Sequence, residues 1–383
     1  MSKQKLSKEK SLQRTKMYAQ LIACVAVLGA GAYMVKNVFD DSKTVSQSPY
    51  YEDTELPEIT TEQATTEPDP NKLLFESSNI DTKDKYKGDL ILVNNDHQYF
   101  GGDEDLVSIM EMNDKTGRDF FTAVDYTYTI QGCVYEPLAQ MVEDFYNKYF
   151  NDTLIIYGSF RSTEFQQQLY DDDIANTGEG ESTRVAKPGF SEHETGYAFD
   201  FSETENYDYD GTGDFAWINE NCFKYGFIVR YTEEKEGITQ IQDEPWHFRY
   251  VGIPHAYYIT KNGICLEEYI DLLRSYVYEG EHLEITDDSG KSYEVYFVPS
   301  DDGSDTTMVP VPVGKEYTIS GNNVDGFIVT VYKDGIPELM KYEPGSAGSS
   351  SGDSENSGED DPDVSDDSST DDTADSGEDS AEY

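Results

Sequence analysis

The sequence is poor in basic residues and in cysteine. Its 383 residues include 28 Lys and Arg against 77 Asp and Glu, which gives a formal net charge of −49 at pH 7. Nucleic acids and anionic lipid head groups attract clustered Lys and Arg, so this balance argues against a nucleic-acid partner and against a surface that docks on such lipids. Four cysteines without close paired spacing argue against a zinc ribbon or a disulfide framework; they are Cys24, Cys133, Cys222 and Cys265. Any metal site must therefore use His and carboxylates.

Long uncharged runs are also scarce. One stands out, at residues 17–35, and its 19 residues come close to the roughly 20 that cross a bilayer as a helix. The preceding residues 1–16 carry six Lys and Arg, and basic flanks stay in the cytoplasm. We therefore expect a basic cytoplasmic segment at 1–16 and a single transmembrane signal-anchor in the cell membrane at 17–35. The rest of the chain, including any catalytic domain, would be extracellular.

Two alternatives to an uncleaved anchor stay open. Ala30-Gly31-Ala32 resembles a signal-peptidase site, which would release the body after cleavage. Leu21-Ile22-Ala23-Cys24 resembles a lipobox, although apolar residues continue well past Cys24. All three interpretations place the body outside the cytoplasm.

Two segments have compositions typical of disordered chain. Residues 36–71 are rich in Thr, Glu, Pro and Ser and lack hydrophobic periodicity, which predicts an acidic, self-repelling tether. Residues 344–383 are mostly Ser, Gly, Asp and Glu, with almost nothing to bury. We expect an acidic disordered tail there.

The body between them carries the patterns of a folded α+β protein. A stripe at helical spacing predicts a core-facing helix that begins at Pro137, where a missing N–H costs nothing; it comprises Leu138, Met141, Val142, Phe145, Tyr146 and Tyr149. Strands are predicted at 90–93, 154–157 and 227–229, and further helices at 162–170, 215–225 and 254–262. Strands and helices do not alternate regularly, which favours helices around a small, mostly antiparallel sheet.

The sequence pattern changes after about Ser275, from mixed helices and strands to strands alone. Residues 293–298 and 326–332 resemble strands, and the second runs into the turn Lys333-Asp334-Gly335. We therefore predict a catalytic domain at 72–274 and a small β appendage at 275–343.

Two of the five histidines lie in dense polar contexts. His193 is followed seven residues later by Asp200, and His247 comes three residues after Glu244. A catalytic zinc needs three N or O ligands, an open position and a carboxylate that can take a proton from water. His193, Asp200 and His247 can be such ligands, and Glu244 such a base. From composition alone, a His beside acids is more often a solvated surface group, so both interpretations stay open at this point.

Two longer patterns carry a resemblance to a known family. The patterns S-x-H-x-x-G-x-A-x-D at 191–200 and E-x-W-H at 244–247 occur intact and in order. With Gly158-Ser159-Phe160-Arg161-Ser162, Gln166 and Ala186-Lys187-Pro188-Gly189-Phe190, the sequence resembles the VanY-type D-alanyl-D-alanine carboxypeptidases, zinc metallopeptidases of bacterial peptidoglycan. The similarity covers about residues 90–273.

The resemblance implies a mixed α+β fold with Zn²⁺ on its central sheet. The implied metal ligands are His193, Asp200 and His247. Glu244 matches the general base, and Arg161 matches the arginine that polarises the scissile carbonyl. Gln166 and Ser191 match positions that hold the terminal carboxylate of the substrate. The family commonly has Ser-Gly-Tyr-Arg-Ser at 158–162, so this chain keeps the Arg but changes the preceding turn.

The implied function is removal of the terminal D-Ala from peptidoglycan stem peptides at the outer face of the membrane. An L,D-carboxypeptidase that trims tetrapeptide stems is an alternative, because the discriminating contacts lie in loops such as 171–184. A non-catalytic cell-wall-binding module is a third hypothesis. The complete set of ligands, base and arginine argues against it.

Overall fold

The computed structural model describes residues 73–102, 105–178, 180–182, 184–204 and 208–342, and all of these belong to one compact unit. The predicted cytoplasmic segment, transmembrane anchor, tether and acidic tail lie outside the described residues. Within the described ranges, no helix has both the length and the apolar character needed to span a bilayer.

Thirteen strands and seven α-helices are found among the described residues. The strands are β1 (Phe75–Asp81), β2 (Leu106–Ser108), β3 (Thr122–Ala123), β4 (Thr129–Gln131), β5 (Leu154–Gly158), β6 (Ala198–Glu203), β7 (Phe227–Tyr231), β8 (Glu244–Tyr250), β9 (Leu283–Thr286), β10 (Ser292–Pro299), β11 (Thr306–Pro312), β12 (Glu316–Gly321) and β13 (Gly326–Tyr332). The helices are α1 (Ile109–Thr116), α2 (Gly132–Tyr149), α3 (Thr163–Thr177), α4 (Ala216–Asn221), α5 (Glu236–Thr239), α6 (Ile253–Asn262) and α7 (Leu266–Leu273). Short 3-10 turns occur at Thr82–Tyr86, Glu192–Thr195, Gly213–Phe215, Cys222–Tyr225, Glu233–Lys235 and Glu338–Met340.

A five-stranded sheet in the order β3-β5-β6-β8-β7 forms the centre of the catalytic region. The β3–β5 pair is parallel and the other pairs are antiparallel. Helix α2 covers it with the predicted apolar stripe, and Leu138, Met141, Val142 and Phe145 are fully buried in one core with strand residues. The mixed α+β fold predicted from the sequence is confirmed.

The start of α2 was predicted wrongly. The helix begins at Gly132, directly after β4, and Pro137 lies inside it. A proline in this second turn removes one backbone hydrogen bond. The helix tolerates that loss because Pro137 and its neighbour Leu138 are buried in the core.

The predicted strand at 90–93 is also wrong, although its residues are buried as expected. No ladder forms there, because other groups take up the backbone hydrogen bonds. Leu90 N donates to Ser320 Oγ at 2.9 Å, Leu92 N donates to the Asn322 carbonyl at 3.1 Å, and the Ile91 carbonyl accepts from Arg249 Nη2 at 3.0 Å. These buried backbone groups are therefore hydrogen-bonded without sheet pairing.

The C-terminal β region, residues 275–342, is built on a four-stranded sheet in the order β12-β13-β10-β9. Successive side chains along its strands point alternately into two cores, as strand geometry requires. Tyr293, Val295 and Phe297 share a core with α6 and α7, whereas Tyr296 and Val298 share one with the β1–β11 ribbon. The sheet is therefore buried on both faces.

Strand β1 connects the two predicted domains. It precedes the catalytic region in sequence but pairs antiparallel with β11, from Phe75 opposite Pro312 to Asp81 opposite Thr306. The boundary drawn at residue 275 therefore does not separate two independently paired sets of strands.

Candidate metal centre

Three neighbouring strands bring the central residues together. Gly158 of β5 lies opposite Asp200 of β6, and Asp200 lies opposite His247 of β8. His193 comes from the 3-10 turn before β6, which ends at Gly196 in the left-handed conformation with φ 73°. This tight reversal lets residues seven apart in sequence meet.

His193, Asp200 and His247 form a compact group of potential metal ligands. His193 Nε2 is 3.2 Å from Asp200 Oδ2, and His247 Nδ1 is 2.8 Å from Asp200 Oδ1. One ligand atom from each residue lies within 4.8 Å of the others. Two imidazole nitrogens and one carboxylate oxygen, with a further position left open, are the donor set of a catalytic zinc site. The residues present therefore fit the metal that the resemblance implies.

Each of the two histidines has one ring nitrogen that faces the centre and one that faces an outer partner. His193 Nδ1–H donates to the Ser159 carbonyl at 2.9 Å, which leaves Nε2 on the side of Asp200. His247 has the opposite orientation, because its Nε2 lies 3.4 Å from Glu192 Oε2 and its Nδ1 faces Asp200. Such outer partners fix the tautomer of a ligand histidine.

The pKa values of the three potential ligands favour a positive charge on His247 alone. Burial and the nearby Arg161 guanidinium lower the pKa of His193 to about 4. Burial opposes ionisation of Asp200, but the charges of and hydrogen bonds from the two histidines hold its pKa well below the usual range. Burial also opposes protonation of His247, yet hydrogen bonds to Asp200 and Glu192 raise its pKa to about 9. A metal cation would supply the charge that His247 otherwise carries.

Arg161 and Glu244 lie beside this group. Arg161 Nη2 donates to Asp200 Oδ2 at 3.3 Å, and its backbone N donates to the His193 carbonyl at 3.1 Å. Glu244 opens β8 and is partly buried; burial raises the pKa of its carboxyl group. Its carboxylate makes no hydrogen bond to the described residues, so it is available to another partner.

Gln166 and Ser191 occupy adjoining segments. Gln166 is fully buried on α3, where its Nε2 donates to the Ala186 carbonyl at 2.8 Å and its Oε1 has no partner among the described residues. Ser191 is buried and caps the turn that holds His193. No hydrogen bond within the described ranges joins either side chain to the three potential metal ligands.

The sequence analysis missed a group of buried charges beneath His247. Glu192 Oε1 accepts from Arg230 Nε and from Arg249 Nη1, both at 2.9 Å, and all three side chains are fully buried. Glu192 stands inside the recognised pattern, between Ser191 and His193, but the pattern treats its position as variable. Only burial identifies it, and a single sequence gives little indication that Arg is buried.

Comparisons with known proteins agree with this geometry. The family model described as VanY, D-alanyl-D-alanine carboxypeptidase, matches residues 128–253, a range that contains every predicted site residue. A D-alanyl-D-alanine carboxypeptidase of Enterococcus faecium is 31% identical over 250 residues, which cover 64% of this chain and 76% of that protein. The chain belongs to the VanY family of D-alanyl-D-alanine carboxypeptidases.

Two further relatives show how far the similarity extends. A D-alanyl-D-alanine carboxypeptidase of Enterococcus faecalis is 39% identical over 128 residues, covering 30% of this chain and 47% of that protein. The crystal structure of the vancomycin resistance D,D-dipeptidase VanXYg, in complex with a D-Ala-D-Ala phosphinate analog, aligns with a TM-score of 0.59 and 29% identity. That alignment covers 68% of this chain and all of the other. The family and the enzyme class predicted from the sequence are confirmed.

Proposed function

We propose that this carboxypeptidase is zinc-dependent and removes the terminal D-Ala from peptidoglycan stem peptides. The observation that carries the proposal is the group of His193, Asp200 and His247, with ligand atoms within 4.8 Å of one another and with Arg161 hydrogen-bonded to it. Zinc bound there would supply Lewis-acid charge toward the scissile carbonyl oxygen.

Two residues of the chain take the remaining roles in hydrolysis. In this proposal Glu244 accepts a proton from the attacking water, and its raised pKa supports the role, because a general base works best with a pKa near the pH of the reaction. The Arg161 guanidinium stays charged and presents a planar donor fork. In this proposal it stabilises the negative charge that develops on the carbonyl oxygen.

Gln166 and Ser191 are proposed to hold the terminal carboxylate of the substrate. Their placement supports this role, because the Gln166–Ala186 hydrogen bond ties α3 to the segment that leads into Ser191. The backbone bond from Arg161 to His193 joins the same two parts of the chain. Gln166 and Ser191 thus belong to the two segments that these hydrogen bonds join, which also carry Arg161 and His193.

We further propose that the enzyme acts at the outer face of the cell membrane, held by residues 17–35. The basic segment followed by an apolar run supports this placement, as does the substrate, since cell-wall peptides lie outside the cytoplasm. Hydrolysis of added stem peptide by intact cells, abolished by external protease, tests it. Activity that survives protease would contradict it.

A product analysis tests the specificity. We expect the zinc-loaded full-length protein to shorten pentapeptide stems by one residue and to leave tetrapeptide stems unchanged, with products resolved by mass spectrometry. The control is the same protein stripped of zinc by a chelator, which should be inactive until zinc is restored. Cleavage of tetrapeptides alone would support the L,D alternative. Binding of both stems without cleavage would support a cell-wall-binding module.

Gly158→Ala should weaken the metal centre. A Cβ at this position would overlap the Asp200 carboxylate, with only 2.7 Å to Asp200 Cγ, so the ligand must move. We expect zinc affinity to fall by about 10-fold or more, the range seen when support of metal ligands is disturbed, as measured by chelator competition.

The matched control for this substitution is Gly237→Ala. Gly237 lies in α5, where an added Cβ would have no atom within 4 Å, and Ala is the better helix former. This variant should keep zinc affinity and stability. Equal zinc affinity in both variants would contradict the requirement for glycine at 158.

A further inference from the structure

Glu192 contacts both His247 and two arginines. Its side chain is fully buried, and its two carboxylate oxygens face different partners. Oε2 lies 3.4 Å from His247 Nε2, whereas Oε1 accepts from Arg230 and Arg249. Glu192 does not belong to the group whose atoms converge as potential metal ligands. It therefore touches a ligand without facing the metal position.

The His247 ring is held between two carboxylates. Its Nδ1 is 2.8 Å from Asp200 Oδ1 on the metal side, and its Nε2 faces Glu192 on the other side. A neutral imidazole carries a hydrogen on one nitrogen and a lone pair on the other. If Nε2–H donates to Glu192, the lone pair is on Nδ1 and points toward the centre.

We propose that Glu192 is a positioning residue, which fixes the tautomer and ring orientation of His247 so that Nδ1 binds the metal. This inference rests on the proposed function, because it concerns the same zinc ion. Glu192 acts through His247 and has no contact with substrate in this assignment.

The surrounding charges hold the Glu192 carboxylate in one place. Arg230 bridges it to Glu267, to which it donates two further hydrogen bonds of 2.9 and 2.7 Å. Arg249 is fixed in turn by the Asp89 carbonyl at 2.9 Å and by the Ile91 and Tyr250 carbonyls, both at 3.0 Å. Two arginines and two glutamates balance in charge, which buried ions require.

This arrangement holds the Glu192 carboxylate in place. Both arginines donate to Oε1 at 2.9 Å, so Oε2 is left to face His247. An anionic acceptor on Nε2–H makes the opposite nitrogen a stronger donor to a metal, and loss of such a partner typically costs about 10- to 100-fold in metal affinity.

The test compares Glu192→Gln with Glu267→Gln in the full-length protein. Both substitutions preserve shape and remove one negative charge from beside Arg230, but only Glu192 contacts His247. Competition with a chelator should show a zinc Kd about 10- to 100-fold higher for Glu192→Gln and a Kd within about twofold of wild type for Glu267→Gln. The spectrum of bound Co²⁺ should change in the first variant alone.

Nitrogen NMR of the zinc-loaded wild type tests the same assignment without any substitution. It therefore tests the proposal even in the case that Glu192→Gln does not fold. We expect zinc on Nδ1 of His247 and a slowly exchanging hydrogen on Nε2. Zinc on Nε2, a wild-type Kd in Glu192→Gln, or equal weakening in both variants would overturn the proposal. In each of these cases the wild type still binds zinc and cleaves stems. A wild type that does neither would overturn the proposed function itself.

Discussion

The Glu244→Gln variant is expected to bind zinc as fully as the wild type and to hydrolyse stem peptides about 10²- to 10⁴-fold more slowly, the usual contribution of a general base. Glu244 is not one of the three converging ligands, so its loss leaves the metal position intact. The Gln side chain keeps the shape but cannot accept a proton from water. Metal analysis and steady-state kinetics on the same preparation measure both effects.

His247→Ala is the matched comparison for Glu244→Gln. It removes a ligand three residues away on the same strand, and two remaining ligands hold zinc poorly. Zinc and activity should therefore disappear together in this variant. Loss of zinc from Glu244→Gln, or near-normal turnover in it, would contradict the assignment of Glu244 as the base.

Ending the chain after Arg274 is expected to prevent the catalytic region from folding. The sheet of the C-terminal β region shares a core with α6 and α7, in which Leu266, Tyr269, Ile270 and Leu273 are all at most 1% exposed. Uncovering a buried Leu or Ile costs about 1.5–3 kcal/mol, and the whole stability of a domain is about 5–15 kcal/mol. A few such side chains exhaust it. The truncated chain should show no cooperative thermal transition and no zinc binding.

The control is a chain that ends at residue 343 and lacks only residues 344–383. The composition of that segment predicts no contribution to the core, so this chain should melt and hydrolyse as the full-length protein does. A cooperative thermal transition and zinc binding in the chain truncated after Arg274 would contradict this prediction. The C-terminal β region would then be a separable module.

The residues of the centre could be predicted because their spacing is local. His193 and Asp200 lie in one short pattern, and Glu244 and His247 lie in another. The pairing that joins the patterns, Asp200 opposite His247, is a contact between distant segments. No periodicity in one sequence encodes it, and the family resemblance gave the shared ligand set without the pairing.

The rest of the fold was less accessible for specific physical reasons. Leu90–Val93 has the composition of a strand, but side chains far along the sequence take its hydrogen bonds. Strand β1 has too few apolar residues to be predicted as a strand; its sequence is Phe-Glu-Ser-Ser-Asn-Ile-Asp. Arg230 and Arg249 look like solvated charges until Glu192 is found between them.

The β1–β11 ribbon has a consequence for the order of folding. Thr82 Oγ1 and Thr307 Oγ1 lie 3.0 Å apart although 225 residues separate them along the chain. During synthesis β1 emerges early, and it cannot pair with β11 until most of the protein has been made. Contacts of such long range slow folding and prolong the exposure of unpaired strands. Glu76 and Asp81 are exposed in this strand, and charged side chains discourage association at strand edges.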